Sequence, residues 1–495
     1  MSEIRVLDMS EIPLGQKKTV KLGETEILLI HYEKGLVAVQ SQCPHAGAPL
    51  KEGAVCNGRL VCPWHMGTFE LSTGALVEPP PMESLKMYPV RVEGEDILVN
   101  PEPLPTATST PVQKEELVLL AGTGAAGAIA ATTLRQGGFA GRILAVDPVE
   151  EEPVDRTVLS KMALSGEMPL DQIGLSTFSA TKVERIYAAV LELSAAQKEA
   201  RLSDGSIVKF DKALVATGGK PKQLETPGAE LAYTIRHPRD VQRILKAAEG
   251  KKEVVIVGTS FIGLEAASAL VQKGLRVTVV GKEKLPFAKL FGEEVAHALK
   301  ALHESKGTRF RLEVETSSFD SSGVTIRAGE KDERLPADLI IAGVGVLPDL
   351  EFKHDLPLAE GGGIATDASL QAKNEVWVAG DIASVSGTRI EHWRLAQQHG
   401  RVAALAMLGQ DSRYNGVPFF WTFHYGKQLE YLGHTEDWDE VVIDGDLKEL
   451  NFMAFYIKQA HVAAVLSCER ETQTAMLAEV MRSHPTLEQA RQAIA

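Results

Sequence analysis

The sequence has little of what extracellular, membrane-spanning or nucleic-acid-binding proteins need. Only four of its 495 residues are cysteines, which excludes a disulfide scaffold and favours a reducing compartment. No stretch approaches the roughly 18 consecutive apolar residues of a membrane span, and the N-terminus lacks the layout of a signal peptide. The net charge of −14 argues against nucleic acid or an anionic membrane as a partner. We therefore expect a soluble cytoplasmic protein of about three or four domains.

Three of the four cysteines are crowded into one stretch with two histidines, CPHAGAPLKEGAVCNGRLVCPWH. Cys43 precedes His45 by two residues, and Cys62 precedes His65 by three. Such a set can hold zinc, although zinc fingers usually pair like ligands along the chain. One cysteine and one histidine on each turn instead favour a two-iron cluster. The neighbouring prolines and glycines predict turns that direct backbone N–H groups at the sulfurs.

The two halves of this stretch, CPHAGAPL and CPWHMGTFELSTGALVEPP, resemble the ligand boxes of Rieske [2Fe–2S] domains. The resemblance implies that Cys43 and Cys62 bind one iron. By the same resemblance, His45 and His65 bind the other, which raises the reduction potential of the cluster. Ala48 stands where the high-potential members carry a further cysteine, so the stretch is more similar to the ferredoxin and oxygenase types.

Two later strand–turn–helix patterns carry glycine motifs typical of dinucleotide binding. The first has Gly122, Gly124 and Gly127 in GxGxxG spacing, and Asp147 ends the next strand, RILAVD. These glycines permit a tight turn, close approach of a pyrophosphate and close helix packing, while the carboxylate can accept hydrogen bonds from a ribose. The corresponding residues of the second copy are Gly258, Ser260 and Gly263. Two copies predict two dinucleotides, a flavin and a nicotinamide.

Four further fragments resemble the sequence signature of two-dinucleotide flavoprotein reductases: PVDRTVLSK, ALVATGGKP, LIIAGVGVLPD and VWVAGDIAS. The resemblance implies that Asp381 contacts the ribityl–pyrophosphate region of FAD and that Arg156 contacts its adenosine and phosphate side. It also implies that Lys161 lies at the flavin ring and pairs with Glu265 beside the nicotinamide, which makes these two the candidate catalytic residues. The other cofactor contacts predicted from these fragments are Ala216, Thr217, Gly218, Gly345 and Gly380.

Two tryptophans near the C-terminus are further candidates for flavin contact. The resemblance implies that the helix in EHWRLAQQHGRVAALAMLG, with Trp393 and Ala396, directs its N-terminus at the flavin. It also implies that Trp421 lies against the flavin, although its spacing alone is equally typical of a core tryptophan.

The sequence leaves the choice of nicotinamide open. Glu283 is a candidate for binding the ribose of NADH, but Gly281 stands where an acid is usual. Lys282 and Lys284 could equally bind the 2′-phosphate of NADPH. The sequence favours NAD(H), with NADP(H) as the alternative.

The chain as a whole resembles the Rieske-containing, apoptosis-inducing-factor-like flavoproteins. The predicted fold is multidomain, with an all-β Rieske domain, two α/β Rossmann-like domains for FAD and NAD, and an α+β interface domain. The predicted boundaries are 1–102 (Rieske), 103–114 (linker), 115–236 and 338–415 (FAD), 237–337 (NAD(P)) and 416–495 (interface).

The resemblance predicts that electrons from NAD(P)H pass through FAD and a [2Fe–2S] cluster to a one-electron acceptor protein. That acceptor would be a ferredoxin, a cytochrome or an oxygenase component, and the enzyme a monomer or homodimer. Disulfide reductase chemistry is excluded, because Cys468 is the only cysteine after Cys62. The alternative function is a slowly turning-over redox sensor.

Overall fold

The computed structural model describes residues 3–105 and 116–495, so most of the predicted linker, 103–114, lies outside the described residues. Within these residues the helices, numbered in chain order, are α1 (Ala125–Gln136), α2 (Met162–Ser165), α3 (Ser176–Ser179), α4 (Pro238–Ala248), α5 (Phe261–Gln272), α6 (Ala288–Phe291), α7 (Glu293–Ser305), α8 (Trp393–Met407), α9 (Glu471–Val480) and α10 (Leu487–Ala493). None of these described helices combines the length and the apolar composition that crossing a membrane requires.

The N-terminal region is built from three antiparallel sheets. In spatial order their strands are Ile4–Asp8, Asp96–Val99 and Val90–Glu93; Lys17–Leu22, Thr25–Tyr32, Gly35–Gln40 and Met87–Tyr88; and Ala54–Cys56, Arg59–Val61, Thr68–Glu70 and Leu76–Glu78. Aliphatic side chains and Phe69 fill the core between the second and third sheets. This core fixes the two loops that leave the strands at Gln40 and Val61, and these loops carry the predicted cluster ligands.

The first glycine motif lies in a six-stranded sheet covered by helices. Its strands in spatial order are Glu184–Ile186, Arg142–Val146, Leu117–Ala121, Lys212–Val215, Val376–Val378 and Gln371–Lys373. All are parallel except the last. The central strands are almost wholly aliphatic because both faces of the sheet are buried. Helices α1 and α8 pack together so closely that a Cβ on Gly400 would lie 2.2 Å from the carbonyl oxygen of Ala126.

Smaller sheets surround this one. They comprise Ile207–Lys209, Glu199–Leu202, Val190–Ser194 and Lys353–His354; Gly219–Pro221 with Val346–Pro348; and Ile364–Thr366 with Ala383–Val385.

The second glycine motif lies in a four-stranded parallel sheet. Its strands in spatial order are Arg309–Arg311, Arg276–Val280, Glu253–Val257 and Leu339–Ala342, and a neighbouring antiparallel sheet holds Glu315–Asp320, Gly323–Ala328 and Lys331–Pro336. The predicted boundary at 337 therefore separates this parallel sheet from its edge strand. Leu339–Ala342 pairs with the central strand through residues 254–257, and the chain returns to the first sheet only after it. The other domain boundaries stay predictions.

The C-terminal region is a five-stranded antiparallel sheet with α9 and α10. Its strands in spatial order are Phe419–His424, Lys427–Gly433, His461–Cys468, Asn451–Lys458 and Glu440–Asp446. Arg59 of the N-terminal region pairs with the buried Glu479 of α9 at 2.9 Å, and Thr472 donates a hydrogen bond to the carbonyl oxygen of Glu52 at 3.1 Å. These contacts hold the first and last regions of the chain side by side. The predicted architecture of an all-β region, two α/β regions and an α+β region is confirmed.

Candidate functional site

Two loops of the N-terminal region, residues 43–48 and 62–67, share one backbone geometry. In the first, the N–H of Gly47 donates to the carbonyl oxygen of Cys43 at 3.0 Å. In the second, the N–H of Met66 donates to the carbonyl oxygen of Cys62 at 3.2 Å. Gly47 and Met66 both adopt a left-handed conformation, with φ of 74° and 57°. Each turn thereby directs one cysteine and one histidine to the same side.

The four predicted ligands meet as two like pairs. The Nδ1 atoms of His45 and His65 lie 3.2 Å apart, and the thiols of Cys43 and Cys62 hydrogen-bond to each other. Backbone N–H groups of both loops donate to the sulfurs, as the turn residues predict. Burial lowers the pKa of both imidazoles, which keeps them neutral as metal ligation requires.

This pairing has the donor set of a Rieske cluster. Among the described residues, no three His, Cys, Asp or Glu side chains converge on a single metal position. A two-iron cluster instead takes two thiolates on one iron and two imidazoles on the other. The residues present therefore fit the [2Fe–2S] group.

A cavity of about 630 Å³ extends from the first glycine motif to Trp421. The predicted cofactor contacts that line it are Gly122, Gly124, Asp147, Arg156, Lys161, Ala216, Thr217, Gly218, Glu265, Gly380, Asp381, Trp393, Ala396 and Trp421. Gly127 lies behind the lining, where a Cβ would be 2.0 Å from the carbonyl oxygen of Gly122. The structure thus brings together, in one cavity, residues that are up to 299 positions apart in the sequence.

The part of this cavity at the first glycine motif has the charges that a dinucleotide needs. Asp147 accepts hydrogen bonds from the backbone N–H and the hydroxyl of Thr123, each at 2.8 Å. Burial lowers the pKa of Arg156 to about 10. Arg236, which no motif indicated, donates to Asp381 at 3.4 Å, while its Nε is buried without a partner in the described structure. A pyrophosphate placed between these guanidinium groups would satisfy them, and a Cβ on Gly124 would protrude into open space here. The residues therefore fit FAD.

A buried ion pair also lines the cavity. Lys161 Nζ lies 2.9 Å from Glu265 Oε2, and both side chains are less than a tenth exposed. Ser160 and Thr422 each donate a hydroxyl to Glu265, at 2.5 and 2.6 Å. Thr422 also bonds to His424 at 2.9 Å. The carboxylate is thus fixed from two different regions of the chain. Thr422 and His424 were not predicted, since neither lies in a recognisable motif.

The second glycine motif lies outside the cavity lining and is formed by the second parallel sheet. Ser260 caps α5, because its hydroxyl accepts from the N–H of Gly263 at 3.2 Å and donates to the carbonyl oxygen of Gly343 at 2.7 Å. A Cβ on Gly258 would be 2.2 Å from the same carbonyl oxygen, so this turn is as tight as the first. Gly345 follows in a left-handed conformation, with φ of 106°.

An acidic side chain lies beside this second turn. Glu283 Oε2 accepts a hydrogen bond from the hydroxyl of Thr259 at 2.8 Å. Lys282 points elsewhere, since it pairs with Glu315 at 2.8 Å. An acid is therefore available here for the hydroxyls of a ribose.

The cavity and the cluster loops meet at Trp421. This residue lines the cavity, and its ring centroid lies 4.3 Å from that of His65. Arg394, which the sequence did not indicate, also lines the cavity and donates to the carbonyl oxygen of Met66 at 2.9 Å. The two predicted cofactor sites are therefore adjacent.

Comparison with known families agrees with this arrangement. The model of the pyridine nucleotide-disulphide oxidoreductase family matches residues 117–400. The chain belongs to this family. A Rieske [2Fe-2S] domain matches residues 2–89, and a reductase C-terminal domain matches residues 419–493. These matches confirm the resemblances inferred from the two cluster boxes and the glycine motifs.

Individual relatives match most or nearly all of this chain. Apoptosis-inducing factor 3 of Mus musculus is 34% identical over 97% of this chain and 84% of its own length. Putidaredoxin reductase of Pseudomonas putida is 28% identical over 71% of this chain and 88% of its own. A solved ferredoxin reductase from Rhodopseudomonas palustris has a TM-score of 0.71 at 27% identity, covering 77% of this chain and 97% of that one.

The present protein is an NAD(P)H-dependent flavoprotein oxidoreductase whose cofactors are FAD, a Rieske cluster and a nicotinamide nucleotide.

Proposed function

We propose that this protein passes electrons from NADH through FAD to its own Rieske cluster, and from there to a separate one-electron acceptor protein. The carrying observation is the position of Trp421, which lines the flavin cavity and contacts the ring of His65. An aromatic ring that contacts both sites gives a short through-space route within one chain. The fused Rieske domain then takes the place of a first, separate ferredoxin.

In this proposal the side chains bind, orient and balance charge, because the cofactors carry the chemistry. FAD, when bound, would supply the two-electron chemistry toward NADH and the one-electron chemistry toward the cluster. Arg156 and Arg236 would hold the pyrophosphate, and Asp147 would hold the adenosine ribose. The Lys161–Glu265 pair would contact the flavin ring. The N-terminus of α8, at Trp393, would stabilise negative charge on the ring.

The nucleotide preference and the acceptor are also part of the proposal. We expect NADH to be preferred, because Glu283 lies at the second glycine turn while Lys282 forms an ion pair with Glu315.

Relatives named as ferredoxin reductases, and a solved complex of putidaredoxin reductase with putidaredoxin, support a ferredoxin-type acceptor. A cytochrome or an oxygenase component would accept electrons in the same way, one at a time. The scarcity of cysteine supports a cytoplasmic location.

An anaerobic titration of the purified protein with NADH, followed by visible absorbance and EPR, tests the route. We expect the flavin absorbance to bleach and a Rieske-type EPR signal to follow in the same molecule. Replacing Trp421 by leucine should slow the appearance of the cluster signal without slowing flavin bleaching, and Trp421→Phe should restore much of the rate.

Two results would contradict the electron route, and a third would contradict the enzymatic function. A cluster that stays oxidised while the flavin is fully reduced would show that the electrons do not pass within the chain. Equal cluster reduction in the leucine variant would exclude the route through Trp421. A reduced protein that persists for hours in the presence of a ferredoxin or cytochrome acceptor would favour the redox-sensor alternative.

A further inference from the structure

Arg394 is a buried cation that touches both cofactor sites. It is the second residue of α8, its side chain is 4% exposed, and it lines the flavin cavity. Its guanidinium group crosses to the N-terminal region, where Nη2 donates to the carbonyl oxygen of Met66 and Nε to that of Pro79, each at 2.9 Å. No other described side chain both lines the cavity and hydrogen-bonds to a cluster loop.

The first of these hydrogen bonds holds a strained turn. Met66 directly follows the ligand His65 and has a left-handed backbone, with φ of 57°. Such a conformation is unfavourable for a non-glycine residue and persists only where its surroundings enforce it. The equivalent position of the other loop is Gly47, which needs no such support. Arg394, together with the hydroxyl of Thr68 at 3.0 Å, therefore positions the loop that carries His65.

The second contribution is electrostatic. The positive charge of Arg394 lies beside the loop that carries His65, since Nη2 is 2.9 Å from the carbonyl oxygen of Met66. The nearest countercharge to Arg394 is Glu78, at 4.0 Å, and Glu78 is itself engaged by Arg482 and Gln398, each at 2.7 Å. A reduced cluster carries one more negative charge than an oxidised one. A buried cation on its histidine side stabilises that charge, because the low local dielectric screens it weakly.

We infer that Arg394 is a positioning residue that fixes the second ligand loop and raises the reduction potential of the Rieske cluster, while Glu78 lowers it. The step concerned is the transfer of one electron to the cluster, with no proton taken up by either side chain. The inference deepens the proposed function, because a higher potential favours electron flow from flavin to cluster. It does not depend on the electron route, because the potential is an equilibrium property.

The test is a dithionite titration of the whole holoprotein, with redox mediators and EPR readout of the cluster. In Arg394→Gln we expect the ratio of reduced to oxidised cluster at a fixed potential to fall by at least about tenfold, which corresponds to a shift of about −59 mV. In Glu78→Gln we expect the opposite sign. Arg394→Lys should keep most of the potential but change the line shape of the EPR signal, because the two-carbonyl bridge is lost.

The matched control is Arg401→Gln. Arg401 lies on the same face of α8 and is half-buried, but it donates to the carbonyl oxygens of Leu76 and Val77 and not to a ligand loop. The reduction potential of the cluster in this variant should equal that of the unmodified protein. If Arg394→Gln loses its iron while Arg394→Lys retains it, the positioning role is supported, and Glu78→Gln then decides the electrostatic one. Unchanged potentials in both Arg394→Gln and Glu78→Gln, or shifts of the same sign, would overturn the inference, whether or not NADH reduces the cluster.

Discussion

At the scale of single residues, each of the two glycine motifs holds its acidic residue by a hydrogen bond from a threonine hydroxyl. Thr123 donates its hydroxyl to Asp147, and Thr259 donates its hydroxyl to Glu283, each at 2.8 Å. Both pairs are separated by 24 residues. The equal spacing is visible in the sequence, although Asp147 follows its strand directly while Glu283 lies beyond Gly281 and Lys282. The structure thus supports Glu283 as the acid of the second site.

We predict that Glu283→Gln lowers kcat/KM for NADH by about tenfold, equal to about 1.4 kcal/mol of lost transition-state binding. The physical reason is the loss of a charged acceptor for the ribose hydroxyls. The value for NADPH should stay the same or rise. Steady-state kinetics with both nucleotides measure this, with Glu333→Gln, an exposed acid of the same region, as the control. An unchanged NADH to NADPH ratio would remove Glu283 from the site.

The buried Lys161–Glu265 pair yields a second prediction at this scale. Lys161→Met leaves the Glu265 carboxylate without its cation and should lower the free energy of unfolding by about 3–5 kcal/mol. Adding Glu265→Gln should recover most of that loss, because Ser160 and Thr422 still bond to the amide. Urea unfolding of flavin-free protein measures both. Lys353→Met, which breaks an exposed pair with Glu192, should cost less than about 1 kcal/mol.

At the scale of elements, the turn before α1 separates glycines that serve the fold from those that serve the ligand. Gly127 packs the helix onto the strand, since a Cβ there would be 2.0 Å from the carbonyl oxygen of Gly122. A Cβ on Gly124 meets nothing within 4 Å, but it would enter the cavity. The same motif therefore contains both kinds of constraint.

We predict that Gly127→Ala lowers the free energy of unfolding of flavin-free protein by about 1–3 kcal/mol, because the overlap forces the helix away from the strand. Gly124→Ala should change it by less than about 0.5 kcal/mol, yet weaken FAD binding. Urea unfolding and flavin content after dialysis distinguish the two effects. Normal flavin content in Gly124→Ala would contradict the placement of the pyrophosphate at this turn.

At the scale of the whole molecule, burial in different regions keeps three histidines neutral. Burial lowers the pKa of His392, His399 and His424 to about 3. In the unfolded chain each would titrate near 6.5. Between these values the unfolded chain binds protons that the folded protein does not, so the free energy of unfolding falls as pH decreases from about 6.5 toward 3.

We predict that His399→Gln makes this acid-induced loss shallower, by up to about 1.4 kcal/mol per pH unit within that window. His399 is chosen because it contacts neither the ion pair nor a cluster ligand in the described structure, and its ring packs on Tyr414. Urea unfolding from pH 7.5 to 4.5 measures the slope, and the exposed His461→Gln serves as control. Parallel pH profiles for all three proteins would contradict the assignment.

The sequence by itself determined the cofactor motifs and the order of the regions. The cluster boxes and the glycine turns are short, and their function depends on backbone geometry that a few neighbouring residues impose. This is why short motifs, and the family resemblance that they carry, were enough to predict Cys43, His45, Gly122 and Asp147 as site residues. The boundary at 337 was less well predicted, because an edge strand such as Leu339–Ala342 and a linking strand have the same local pattern.

Only the tertiary structure decided how the two cofactor sites meet. Arg394 and Met66 are separated by 328 residues, and their hydrogen bond exists only because α8 packs against the N-terminal sheets. The contact between Trp421 and His65 likewise depends on packing between regions. Local spacing carries no signal of such contacts, since they are selected by the shape and charge of surfaces that form only after each region has folded.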